Sequence, residues 1–120
     1  MLNLDTLILI RAVQGKLHPK ERALLRRHQH WGIPGIVLWE IENLFKLRRI
    51  RFGLDYGPLA ELLERLEIWP INRTVCMALR RLDFQSNPVD QIIAVTSLAY
   101  DVPLVTRDER ILISRIVPFA

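Results

Sequence analysis

The chain has 120 residues, half of them apolar, which is enough for one compact domain with a sizeable core and too little for two ordinary ones. Seventeen Lys and Arg against thirteen Asp and Glu leave a net charge of +4, and fourteen of the basic residues are Arg, the side chain best shaped for phosphate. That balance favours a polyanionic partner, although an ordinary soluble surface carries a charge of this size too.

Compartment follows from what is missing. No apolar run approaches the length of a membrane span, and Asp5 and Arg11 interrupt the N-terminal run, unlike a signal peptide. The one cysteine, Cys76, cannot form an internal disulfide, so a reducing, cytoplasmic setting is expected.

In chain order, Leu2 to Leu4 is a brief apolar strand, and Leu7–Val13 reads as a helix ending near Gly15. Asp5 stands between them at a strand's carboxyl end, where it suits a helix N-cap and a site residue equally; position alone does not separate the two. His18–Arg22 opens a second, amphipathic surface helix, apolar at Ala23, Leu24 and Leu25 and basic at Arg26 and Arg27. His28 and His30 follow, but with no Cys or third His nearby they argue against a His-based metal site.

His30–Pro34 is the second strand, and Ile36 to Arg49 is a helix whose core stripe is Val37, Ile41, Leu44, Phe45 and the stem of Arg48. On that helix Glu42 projects away as a solvated residue, whereas Glu40 borders the stripe and wants a partner, a proton or a metal. Arg48, Arg49 and Arg51 close it as a basic cluster suited equally to the helix dipole and to phosphate.

Phe52–Gly57 is a turn-rich link, and Pro58–Leu66 is an amphipathic helix whose Glu61 and Glu64 pair with solvent or Arg65. Ile68–Ile71 is a third strand, which Pro70 assigns to a sheet edge. A helix from Asn72 or Arg73 to Leu82 comes next, with Cys76 expected at a buried position among apolar neighbours.

The stretch NPVDQIIAVTSLAYDVPLVTRDER, residues 87–110, organises the rest. Asn87 caps a helix, Pro88 suits its first position, and Asp90 falls in the first turn, where the dipole favours a carboxylate. Asp101-Val102-Pro103 breaks the helix, and Leu104-Val105-Thr106 is a strand of the kind buried on both faces. Asp108 follows, beyond the strand's carboxyl end, where open parallel sheets bind ligands. Ile111–Ile113 makes one helical turn and Ile116–Phe119 a last strand.

Strands alternating with helices predict an α/β fold: a parallel sheet of four to five short strands between two helical layers. If the strands that precede Asp5 and Asp108 lie side by side, Asp90 and Glu40 can face the same crevice, and four carboxylates share one small space. Unpartnered they would repel, and at least one would hold a proton well above its usual pKa. A hard divalent cation, Mg²⁺ or Mn²⁺, resolves this, and phosphodiester hydrolysis uses that chemistry. Arg48, Arg49, Arg51, Arg107 and Arg110 outside the acidic centre would then hold a nucleic-acid backbone.

Four segments carry a resemblance: LDTLILI at 4–10, LWEIENLFKL at 38–47, NPVDQIIAVTSLAYDVPLVTRDERI at 87–111 and the closing IVPF. In this order and spacing the chain resembles a PIN-domain ribonuclease of the VapC toxin type, nearly end to end over 1–120. The resemblance implies a PIN-like three-layer fold and a metal-dependent endoribonuclease, with Asp5, Glu40, Asp90 and Asp108 as the acidic quartet, and Thr106 and Thr6 as supporting oxygens. It also implies an RNA substrate, a cognate antitoxin and a homodimer. Leu7 stands where many such relatives read His, and Asn87-Pro88 where they often read Asp-Pro.

Two other readings compete. A PIN-fold module that grips RNA or protein without turnover would show metal-independent binding and no cleavage. A small phosphate-accepting α/β domain would use Asp5 or Asp90 as acceptor, but the Lys and Thr/Ser partners of such domains are absent from the sequence order.

Overall fold

Leu2, Asn3 and Leu4 form the first strand, β1 (Leu2–Leu4), and all three are fully buried. Successive strand residues point to opposite faces, so a strand buried at every position has helices on both sides of it. The computed structural model, which describes residues 1–120, shows that arrangement. β2 (Trp31–Pro34) and β4 (Leu104–Val105) flank β1, and β3 (Glu67–Trp69) lies at the edge beyond β2, giving the parallel order β3-β2-β1-β4. Pro70 thus follows an edge strand, as its missing N–H requires.

The sheet has four strands. The expected strand at Ile116–Phe119 is reduced to one bridge, Phe119 against Leu104. Its backbone is committed elsewhere: the N–H groups of Ile116 and Val117 donate to Ser114 Oγ at 3.2 and 3.0 Å, and Pro118 has none to give.

Seven helices cover the sheet: α1 (Thr6–Gln14), α2 (Pro19–Arg27), α3 (Ile36–Lys46), α4 (Gly57–Glu64), α5 (Arg73–Ala78), α6 (Pro88–Tyr100) and α7 (Glu109–Leu112). None is long and apolar enough to cross a membrane. The core is formed by β1, the buried faces of α1 (Ile8, Leu9), α3 (Val37, Ile41) and α6 (Ile93, Ala94), and Leu59 and Ile111.

Helix ends explain where the expected boundaries move. α1 stops at Gly15, whose φ of +70° closes the end: Lys16 N–H reaches Arg11 O and Gly15 N–H reaches Ala12 O. α3 stops three residues earlier than periodicity suggests, in the same motif, with Arg48 in the left-handed position at φ +59°. Phe45 and the Arg48 stem are therefore exposed and do not belong to the core stripe.

Two further expectations change. Glu42 is not merely solvated: its carboxylate accepts the Leu54 N–H at 2.7 Å and pins the loop after α3. Cys76 is exposed. α5 is only six residues long and turns Val75 and Ala78 towards Val95 of α6, which leaves the intervening Cys76 and Met77 facing out.

Candidate active site

The pairing of β1 with β4, Leu4 opposite Val105, brings the residues just past both strands together. Thr106 Oγ1 donates to Asp5 Oδ2, and Asp108 N–H donates to Thr106 Oγ1 at 3.0 Å, so one hydroxyl ties the two acid-bearing turns to each other. Asp5 Oδ1 meanwhile accepts the Ile8 N–H at 2.9 Å as N-cap of α1. The N-cap reading of Asp5 holds, and its second oxygen, which meets Thr106, is on the residue that lines the cleft.

Asp90 comes from the first turn of α6. Asn87 and Asp90 bond reciprocally: Asp90 N–H donates to Asn87 Oδ1 at 3.0 Å, and Asn87 Nδ2 donates to Asp90 Oδ2 at 2.9 Å. Ser86 Oγ donates to the same Asp90 oxygen at 2.7 Å. The axial position of α6 is set by Asn3, fully buried in the middle of β1, whose Nδ2 donates to Ile93 O at 3.2 Å and Ser97 Oγ at 2.8 Å. Ile93 lies one turn beyond Asp90, so this bond fixes how far Asp90 projects beyond the sheet.

Glu40 of α3 completes the group. Asp5, Glu40, Asp90 and Asp108 line one cleft of about 400 Å³ at the carboxyl end of the sheet, together with Arg107 and Arg110. Their proximity registers in their chemistry. Burial, reinforced by the charges of Asp108 and Glu40, raises the Asp5 pKa to about 6 despite the hydrogen bonds from Thr106 and Ile8, which lower it. Burial also raises Glu40, helped by the charges of Asp90 and Asp108 and opposed by the nearby Thr6 hydroxyl. That hydroxyl is buried and makes no full hydrogen bond with any group.

The basic residues separate into two kinds. Arg107 is held by Glu21 of α2 in a two-pronged ion pair, with contacts of 2.6 and 2.7 Å, which lowers the Glu21 pKa and ties α2 to the end of β4. Arg110 leans over the cleft, 3.3 Å from Asp108 and 3.5 Å from Asp90, on a side chain that is 67% exposed. Arg48, Arg49 and Arg51 lie outside the cleft, after α3.

No three acidic, His or Cys side chains stand together as a ready-made metal cage. The donor set nonetheless fits a hard cation that keeps most of its water, since Mg²⁺ is commonly held by only one or two carboxylates. Clustered hard oxygens, a raised Asp5 and an orphaned Thr6 hydroxyl are what such an ion would relieve. Sequence reasoning missed the positioning residues Asn3, Ser86 and Asp83. Asn3 alone carried a signal, a polar residue inside an apolar strand. Asp83 accepts from Ser114 Oγ at 2.6 Å and Arg115 N–H at 2.7 Å, joining the loop before α6 to the C-terminal segment, a contact 31 residues apart that no local pattern encodes.

Comparison with known proteins identifies the fold and the family. No curated protein matches the chain. Among solved structures, similar folds occur in VapBC2 from Rickettsia felis bound to a DNA fragment from its promoter (TM-score 0.76, 19% identity, covering 100% of this chain and 98% of that one). A chain of FitAcB from Neisseria gonorrhoeae is also similar (0.69, 16%, 100% and 97%), as is one of a toxin–antitoxin complex from Klebsiella pneumoniae (0.64, 20%, 90% and 87%). At these identities the likeness is one of fold. The model of the PIN domain family matches residues 3–116, nearly the whole sequence, and the chain therefore belongs to the PIN domain family.

Proposed function

We propose that the chain, acting as one PIN-like unit over residues 1–120, is a Mg²⁺- or Mn²⁺-dependent endoribonuclease and the toxin of a toxin–antitoxin pair. PIN domains are typically nucleases, and PIN nucleases generally use divalent metals. The observation that carries the proposal is the convergence of Asp5, Glu40, Asp90 and Asp108, from four separate elements, on one open cleft. Capping accounts for Asp5 and Asp108 one at a time, but not for gathering four acids at a cost in repulsion. The toxin role and the antitoxin partner rest on fold likeness to the VapBC, FitAcB and Klebsiella complexes, and the homodimer on the sequence resemblance alone.

A bound divalent ion would supply Lewis acidity to the phosphoryl oxygen and hydroxide at neutral pH. The chain's own residues do the positioning. Asp5, Asp90, Asp108 and Glu40 would hold the ion, with Thr6 and Thr106 as supporting oxygens. Ser86, Asn87, Thr106 and the Ile8 N–H fix the carboxylates beforehand, so little reorganisation is needed when substrate arrives. Arg110, largely exposed and held by carboxylate contacts of 3.3 and 3.5 Å, would exchange them for a substrate phosphate.

The test is cleavage of a mixed cellular RNA pool by purified protein with Mg²⁺, Mn²⁺ or a chelator, beside Asp90→Asn. Metal-dependent cutting, reduced at least 100-fold in the variant, is expected. Full activity retained in Asp5→Asn, Asp90→Asn and Asp108→Asn would overturn it. One observation favours a second reading, a PIN-fold binding module without turnover: Arg110 already balances two of the acids, and no three of them form a cage. That reading predicts RNA retained without metal and never cut.

A further inference from the structure

A second recess is lined by the end of α1 and the segment that follows α3, and its chemistry is the opposite of the acidic cleft. Lys16, Arg49 and Arg51 line it with the rings of Phe52 and Tyr56, and no acid does. None of the three cations takes part in an ion pair, whereas Arg107 and Arg110 are both paired. α1 and α3 both end here, and their negative dipole ends, roughly half a charge each, offset about one of the three positive charges. The recess stays positive.

Its aromatic wall is held in place. The Phe52 and Tyr56 rings lie 5.1 Å apart at 31°, Phe52 is packed on the core, and Tyr56 is 44% exposed. Glu42 secures the intervening loop through Leu54 N–H, and Gly53 permits the close approach, because a Cβ there would stand 2.7 Å from the Glu42 carboxylate. At about 480 Å³ the recess has room for a base and its phosphate. Its position matters as well: α1 contributes Ile10 to the acidic cleft and Gln14 to this recess, about 6 Å further along the helix axis.

We propose that this recess is a nucleotide subsite for single-stranded RNA. Tyr56 stacks an unpaired base, Lys16, Arg49 and Arg51 hold the adjoining phosphates, and the subsite sets which bond of the strand reaches the four acids. The proposal rests on the nuclease reading of that cleft for its consequence, but the binding itself does not. A duplex keeps its bases stacked inside and offers none to Tyr56.

The experiment measures binding by fluorescence polarisation of a labelled single-stranded RNA of about eight nucleotides, in EDTA so that nothing is cut, with circular dichroism to verify folding. Tyr56→Ala is expected to weaken binding about 5- to 100-fold, and Tyr56→Phe to restore it. Arg49→Ala and Arg51→Ala should each make the slope of log K against log salt shallower by about 0.7, the single-strand value per phosphate. Wild-type affinity in folded Tyr56→Ala, unchanged salt slopes in the Arg variants, equal binding of a duplex, or no RNA binding at all would overturn the subsite and leave the recess to a protein partner. RNA bound through this recess in EDTA yet uncut with Mg²⁺ would instead sustain the subsite and defeat the nuclease. RNA cut normally by variants of unchanged affinity would do the reverse.

Discussion

Asp5 shows how one side chain both caps a helix and lines the acidic cleft. Its carboxylate caps α1 and accepts from Thr106, yet burial and neighbouring acids raise its pKa to about 6 from 3.8. Because the folded pKa is above the unfolded one, the folded state binds the proton more tightly. Asp5 therefore adds stability that is fully present below about pH 4 and is lost as pH rises through 6, an effect of about 3 kcal/mol. Glu21, lowered by Arg107, works the other way, and its stability is lost as pH falls. Comparing Asp5→Asn with wild type isolates the first effect. Asn caps as well as Asp does, so the variant should be the more stable protein at pH 7 by urea titration, with the advantage shrinking towards pH 4. An advantage independent of pH would contradict the assignment. Three of the quartet were legible as residues because helix starts and strand ends are locally encoded: Asp5, Asp90 and Asp108. Glu40 was legible only as an acid beside an apolar stripe, and what it faces is decided by α6.

At the scale of elements, Asn3 is the hinge between packing and chemistry. It is the point at which β1 holds α6, and α6 carries Asp90. Asn3→Ala removes both bonds and is expected to lower unfolding stability by about 1–3 kcal/mol. It should also reduce cleavage more than that loss explains, since Asp90 is no longer held to the register of the sheet; unaltered activity in the folded variant would show that α6 finds its place without Asn3. The sheet edge depends on a similar fit, with the Trp69 ring so close over Gly32 that a Cβ there would stand 2.6 Å away. Strand and helix order could be read from periodicity alone, and Pro70 identified the edge. The boundaries that moved did so for local reasons invisible to periodicity: a left-handed Arg48 ending α3, and Ser114 drawing the backbone of Ile116 and Val117 out of a ladder.

For the whole molecule, α1 contributes to both the acidic cleft and the basic recess, and a cation that fills the first should be felt by the entire fold. Mg²⁺ at about ten times its dissociation constant would raise stability by about 1.4 kcal/mol, a shift of several degrees in Tm. Chelator should reverse it, and Asp90→Asn and Asp108→Asn should diminish it; equal shifts in wild type and both variants would place the ion elsewhere. The amino-acid order was enough to establish an α/β chain with acids at strand and helix ends and an excess of Arg, because capping, alternation and turn chemistry act over a few residues. Which acids meet, which arginines are already paired and which remain open to a partner was decided only by folding. Asp5 and Thr106 are 101 residues apart in the chain, Arg107 and Glu21 86 apart, and such pairs exist because β1 lies beside β4 and α2 crosses its end. Contacts of that span come from the packing of the core, which no stretch of the sequence carries by itself.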